Sequence, residues 1–329
     1  MDNRIAEIVR TAMVPYRLNL GPGDRVAIVA DTGTDPMVIQ AFMAAAVALD
    51  VIPFVVMTTP VPFHHAPPDP SVIHAMESAD LIHLVTSKAV IHSEPTHELQ
   101  RQGRRFLASE EITVDMLRAG GATADYGRMN VLGQKIYDIW TEGRSMHVTS
   151  ELGTDLRADI TGRPSWLTAA KVLENPGCDL NACGFPDGEV GMSPIEESIE
   201  GTVVWDTTMH HVGLIEEPIR ARFETGRCVD ISGGAEARRL LAYLRENGDD
   251  GSWMLGETSV GINEKCRVTG LVREDKKIAG CMHIALGMNT DTGGNVASRT
   301  HLDGVLRYPT LVVDDTLVID GGQLAVSAD

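Results

Sequence analysis

The sequence has few aromatic residues, 5% of 329, and no long apolar run. Its longest apolar stretch, residues 42–57, is broken by Asp50 and Pro53. A bilayer-spanning helix needs about 20 consecutive apolar residues, so no membrane partner is expected and the stretch reads as buried core. Positive charge is also scarce. There are 28 Lys and Arg against 46 Asp and Glu, a net charge of −18, and no basic cluster offsets it. Such a surface repels phosphate backbones and anionic head groups, which argues against a nucleic-acid partner. Cysteine is limited to positions 178, 183, 228, 266 and 281. An odd number without CxxC spacing fits neither a disulfide scaffold nor a zinc knuckle, and free thiols in a reducing cytoplasm are expected. The start, Met1-Asp2-Asn3-Arg4-Ile5-Ala6-Glu7, lacks the basic onset and apolar run of a secretory signal, so a cytoplasmic location is expected. The turn Asp31-Thr32-Gly33-Thr34-Asp35 lacks the GxGxxG spacing of a dinucleotide site.

Hydrophobic residues at 43% and charged residues at 22% describe an ordinary globular chain, and its length favours two domains. Apolar positions at helical spacing over residues 3–19 predict an N-terminal helix. Residues 25–30 read as a buried strand. Asp35-Pro36 then supplies an N-cap with proline in the first turn of a helix over residues 37–48. Residues 52–57, 79–85 and 104–108 read as further strands, with a helix near 96–102. This alternation implies an α/β domain, Rossmann-like, with a mostly parallel sheet. The proline-rich segment 60–70, with His64-His65 at its centre, reads as a loop. From about residue 146 short alternating stretches take over: 155–160, 201–205, 219–223, 229–231 and 311–320, with one amphipathic helix over 234–246. This half is expected to be α+β and barrel-like. The domains are placed at 1–140 and 141–329.

His301-Leu302-Asp303 sets an imidazole and a carboxylate two residues apart, which on a strand share one face and can reach one ion. Cys281-Met282-His283-Ile284-Ala285-Leu286-Gly287 places a second histidine in an apolar strand-like run. Leu255-Gly256-Glu257 and Pro186-Asp187-Gly188-Glu189-Val190 each hold one carboxylate in an uncharged, glycine-flanked segment. An isolated buried carboxylate costs several kcal/mol unless paired or bound to a cation. The bland alternatives are a core histidine bonded to backbone and solvated turn carboxylates. Taken together, Glu189, Glu257, His283, His301 and Asp303 suit two divalent ions such as Zn, Mn or Co.

At these motifs the chain resembles the thermophilic-type metallo-aminopeptidases, aminopeptidase T and aminopeptidase S. The likeness rests on Phe185-Pro186-Asp187-Gly188-Glu189-Val190, Leu255-Gly256-Glu257 with Gly261-Ile262-Asn263, His283-Ile284-Ala285-Leu286-Gly287 and His301-Leu302-Asp303. It covers most of residues 180–305. The resemblance implies that all five residues ligate two ions, that Glu257 or Glu189 accepts a proton, and that the chain forms a homo-oligomer. Thr290 stands where that family carries a tyrosine. The motifs also resemble the 2,5-dihydroxypyridine 5,6-dioxygenases, whose single ferrous iron would here sit on Glu257, His301 and Asp303. Glu257 in place of a histidine, with Glu189 retained, points to paired ions.

The function expected from sequence is therefore metal-dependent hydrolysis of an amide or related C–N bond in a small molecule or short peptide. The alternative is the one-iron, Fe(II) ring-cleaving dioxygenase, and a binding protein with a structural site is a third reading. Candidate substrate contacts are Arg299, two residues before His301, together with His210, His211 and Tyr308, the nearest tyrosine after His301. An ion pair with a surface carboxylate is the other reading of Arg299.

Overall fold

Arg25–Asp31 is buried along all but its first residue, as expected of a strand covered on both faces. In a computed structural model of the protein, which describes residues 3–328, this strand is an interior strand, second from one edge, of a five-stranded parallel sheet. Met1 and Asp2, part of the segment read against a secretory start, lie outside the described residues. The strand order is Ile52–Thr58, Arg25–Asp31, Leu81–Val85, Arg105–Ala108 and Ala182–Gly184, all pairs parallel. The helix Pro36–Val47 begins as its sequence dictates. Asp35 accepts a hydrogen bond from the Met37 N–H at 2.8 Å, and Pro36, which has no N–H to lose, occupies the first turn.

This sheet belongs to a first compact unit comprising Met1–Tyr126, Thr168–Glu174 and Asp179–Asp187. It is not one continuous segment, because the edge strand Ala182–Gly184 comes from well beyond residue 140. The turn after Arg25–Asp31 is closed by its own chain. Asp31 is buried and accepts from the Gly33 and Ser87 N–H groups, both at 2.8 Å. Segment 60–70 runs into a short helix, Pro70–Met76, capped by Asp69.

The second unit comprises Gly127–Leu167, Asn175–Cys178 and Gly188–Asp329. It takes all but the first residue of the helix Tyr126–Glu142 and holds two sheets, of eight and seven strands, built on antiparallel pairs. Each runs between distinct edge strands, so neither strand order closes on itself as the barrel-like expectation required. Residues 311–320 form a hairpin, Pro309–Val313 with Thr316–Asp320. Asp314 turns the chain at φ 50°, and its carboxylate accepts from the Ser145 N–H at 2.9 Å.

In the seven-stranded sheet, Glu189–Met192, Leu255–Gly261, Met282–Gly287 and His301–Leu306 lie side by side and antiparallel. One face packs on Trp205, which is fully buried and donates from its indole N–H to the Ile284 carbonyl at 3.1 Å. A buried side chain of this size stabilises the unit by roughly 1.5–3 kcal/mol. Gly304 is required there: a Cβ would stand 2.5 Å from the Trp205 ring. Among the described residues, no helix is long and apolar enough to cross a membrane.

Candidate metal centre

The register of these four strands assembles the site on the face opposite Trp205. Glu257 lies across from Ala285, and Ala285 across from Asp303, so both carboxylates project from one row. His283 is two residues before Ala285 and His301 two before Asp303, which puts both imidazoles on that face. Glu189 pairs with Gly261, four residues along from Glu257, and joins them. Ser259, Gly261, Ala285 and Gly287 fill the intervening positions of the same face. Small residues between five large polar ones leave their functional atoms room to converge.

They do converge. Nε2 of His301 is 3.0 Å from Asp303 Oδ1 and 3.9 Å from Glu257 Oε2. Nε2 of His283 is 2.8 Å from Glu257 Oε1 and 3.8 Å from Asp303 Oδ1, while its Nδ1 is 3.5 Å from Glu189 Oε2. All five residues are buried, His283 completely. Glu257, His301 and Asp303 offer donor atoms that all lie within 4.8 Å of one another.

Two lysines that sequence reasoning passed over complete the cluster. Lys276 donates to Asp303 Oδ2 at 2.8 Å and lies 3.8 Å from Glu189 Oε1. Lys277, almost wholly buried, donates to Glu189 Oε1. Both follow the short helix Val272–Asp275. Buried Asp275 anchors that turn by accepting from the Thr269 N–H at 2.7 Å, the Gly270 N–H at 3.0 Å and the Thr208 hydroxyl. In sequence, Asp275-Lys276-Lys277 looks like any solvated charge run. The sole hint is the apolar segment that follows at once, Ile278 to Ile284.

The electrostatics follow from this packing. Burial alone raises the Asp303 carboxyl, but the Lys276 ammonium and the two imidazoles outweigh it and hold the group well below the usual range. Burial alone lowers His301, and the Asp303 and Glu257 carboxylates overcome that and push it up to about 10. Lys276 is likewise held charged against burial by Asp303, Glu189 and Glu257.

The donor set fits a divalent metal. His301 Nδ1 lies 2.7 Å from the Met288 carbonyl oxygen, a pure acceptor, so Nδ1 carries a proton. In the neutral ring Nε2 is then a lone pair facing a carboxylate oxygen at 3.0 Å. Two acceptors at that distance require a cation between them, either a proton or a metal. A carbonyl bond at the far nitrogen is also how metal-binding imidazoles are oriented. Nδ1 of His283, buried, makes no hydrogen bond among the described residues.

The candidate substrate contacts are distributed differently. His210 adjoins the cluster: its Nδ1 accepts from the Asp303 N–H at 3.1 Å and lies 3.9 Å from Asp303 Oδ2. His211, at φ 63°, turns away and stacks on Tyr243 with ring centroids 4.0 Å apart. Arg299 precedes the strand, which starts at His301, so the alternation that would aim it at the site does not reach it. Its side chain is 74% exposed and pairs with Asp249. Tyr308 is also exposed, in the turn before Pro309, with the Arg307 guanidinium over its ring.

Comparison with known proteins gives one family. The family model for 2,5-dihydroxypyridine 5,6-dioxygenase matches residues 16–326. The 2,5-dihydroxypyridine 5,6-dioxygenase of Pseudomonas putida KT2440 is 27% identical over 262 residues, 76% of this chain and 72% of that protein. Aminopeptidase AmpS of Bacillus subtilis is 32% identical over 116 residues, 35% of this chain and 27% of that one. Among solved structures, the P. putida KT2440 dioxygenase superposes with a TM-score of 0.82 at 21% identity, covering 98% and 97% of the two chains. AmpT of Thermus thermophilus superposes with a TM-score of 0.68 at 16% identity, covering 98% and 99%.

These findings correct the expectation of a hydrolase. The aminopeptidase kinship is real, but it covers about a third of the chain in sequence, whereas the dioxygenase match runs nearly from end to end. The chain belongs to the 2,5-dihydroxypyridine 5,6-dioxygenase family and is an enzyme.

Proposed function

We propose that this member of the family is a mononuclear ferrous dioxygenase that cleaves a hydroxylated pyridine ring, with 2,5-dihydroxypyridine as its first candidate substrate. The observation that carries the reading is the compact donor set Glu257, His301 and Asp303 within a chain matched by the family model over residues 16–326. These three residues would hold the iron, with His283 beside them as a second imidazole, close to the two-histidine, one-carboxylate ligation of non-haem Fe(II) oxygenases. When bound, ferrous iron supplies open positions at which O₂ and a ring hydroxyl meet.

The chain's own groups prepare that place. The Met288 carbonyl fixes the His301 tautomer, so that Nε2 would be the atom offered to the ion. Lys276 engages Asp303 Oδ2 and leaves Oδ1 turned toward His301. His210 accepts the Asp303 N–H at Nδ1, so in the neutral ring its proton is on Nε2. Burial of all the donors excludes bulk water, which strengthens each of these interactions.

The test is oxygen uptake by protein loaded anaerobically with Fe(II) and given 2,5-dihydroxypyridine. Ring opening with both atoms of labelled O₂ in the product is expected. Iron-loaded protein that consumes no oxygen with this or other dihydroxylated pyridines would overturn the proposal.

A further inference from the structure

The strand Leu255–Gly261 meets its neighbour with one residue too many. Leu255 pairs with Leu286 and Glu257 with Ala285, so Gly256 has no counterpart in the register and forms a bulge immediately before Glu257. A bulge disrupts the ladder locally and re-aims the side chains beside it, so the direction of Glu257 depends on what fixes Gly256. Asn289 fixes it. This fully buried side chain donates from Nδ2 to the Gly256 carbonyl at 3.0 Å. The same residue also holds the peptide that orients His301, because Met288, whose carbonyl bonds His301 Nδ1 at 2.7 Å, directly precedes it. Asn289 donates its backbone N–H to the Val296 carbonyl at 3.1 Å, and its Oδ1 accepts from the Val296 N–H at 2.7 Å. The second Nδ2 hydrogen goes to Glu196 Oε1 at 3.1 Å, and buried Glu196 pairs with Arg163 and accepts from the Asn295 N–H at 2.7 Å. Val296 offers a donor, while Gly256 and Glu196 offer acceptors, so these partners dictate which end of the amide is oxygen.

We propose that Asn289 is a positioning residue of the metal site, fixing the aim of Glu257 through the Gly256 bulge and the aim of His301 through the Met288 peptide. The inference rests on the reading of Glu257, His301 and Asp303 as metal donors. One side chain thereby sets how two donors on different strands stand to each other, with His301 Nε2 3.9 Å from Glu257 Oε2. Donors already held in place lose little freedom when the ion arrives, and groups that orient metal ligands typically contribute about 10–100-fold in affinity. Asn289→Ala deprives the Gly256 carbonyl, the Val296 N–H and Glu196 Oε1 of a partner at once. Asn289→Asp keeps the size and the bond from Val296, but turns an oxygen toward the Gly256 carbonyl and the Glu196 carboxylate, two acceptors that repel it.

The experiment reads metal binding, independently of turnover. Wild-type protein, Asn289→Ala and Asn289→Asp are stripped with chelator and titrated with Co(II), followed by visible absorbance. Leu311→Ala, a fully buried change in the hairpin of the other sheet, serves as a control for lost stability alone. Both Asn289 variants are expected to bind Co(II) about 10–100-fold more weakly and with an altered absorption spectrum, whereas Leu311→Ala melts at lower temperature and keeps the wild-type affinity and spectrum. Folded Asn289 variants that match wild type in both readouts overturn the inference and leave the donor set intact. An equal loss of affinity in Leu311→Ala overturns it as well. Hydrogen exchange on the wild type needs no variant: Co(II) is expected to slow exchange of the Asn295 and Val296 amides more than that of the hairpin amides, because a coupling between two sites acts in both directions. No such difference overturns the inference even if neither Asn289 variant folds. Wild-type protein that binds no Co(II) removes the donor reading and the inference with it.

Discussion

His301 is held from both sides, its Nδ1 bonded to the Met288 carbonyl at 2.7 Å and its Nε2 set 3.0 Å from Asp303 Oδ1. The first contact decides which nitrogen is protonated, and the second decides where the remaining lone pair points. Losing a group that merely supports a ligand weakens metal binding by roughly 10–100-fold. His301→Ala removes a donor and is expected to exceed that loss in an Fe(II) titration. Affinity within tenfold of wild type would exclude His301 from the donor set.

Without metal, His301 is an imidazolium, because Asp303 and Glu257 raise it from 6.5 to about 10. A folded-state value above the unfolded one stabilises fully below pH 6.5, and the contribution is lost as pH rises through about 10. The melting temperature of the metal-free protein is therefore expected to fall between those limits. Bound metal replaces the proton, so the loaded protein loses this dependence, and calorimetry in buffers of different ionisation enthalpy at pH 7 should show proton release on metal uptake. A metal-free protein equally stable at pH 7 and pH 10 would contradict the assignment.

Asp275 accepts hydrogen bonds from Thr208, Thr269 and Gly270 and sets the turn that delivers both lysines. Hydrogen bonds to a charged group contribute about 1.5–3 kcal/mol each. Asp275→Ala is expected to lower stability by at least that amount in urea unfolding. A change below ~0.5 kcal/mol, the usual range for an uninvolved surface position, would show the anchor to be unimportant.

Arg299 and Tyr308 lie on exposed segments, one paired with Asp249 and the other beneath Arg307. Exposed ion pairs contribute about 0–1 kcal/mol. Arg299→Ala and Tyr308→Phe are expected to leave kcat/KM for the ring substrate within a factor of two to three, as measured by oxygen uptake. A drop of tenfold or more in either would place that side chain at the substrate.

Much of the local structure was legible in the sequence because its causes are local. Asp35-Pro36 starts a helix through capping chemistry confined to one turn, and Arg25–Asp31 is a strand because both its faces are apolar. His301 and Asp303 share a face through the two-residue period of any strand. The same rule failed for Arg299 because it holds only where the chain is extended and paired, and pairing begins at His301. The extended reading of residues 311–320 failed for a related reason: Asp314 adopts a turn that apolar patterning does not reveal.

By itself, the sequence determined which residue types stand ready as donors, and that short strand-like segments carry them. Only the tertiary structure decided what surrounds those donors. The alignment of Glu257, Ala285 and Asp303 depends on inter-strand register, which links residues up to 46 positions apart and is set by the packing of the whole sheet. The positions of Lys276 and Lys277 depend on a turn tied down by Asp275, and two adjacent lysines read alone are indistinguishable from solvated charge. Whether a carboxylate faces a metal or an ammonium is a matter of a few ångströms between distant segments, and that distance has no local signature.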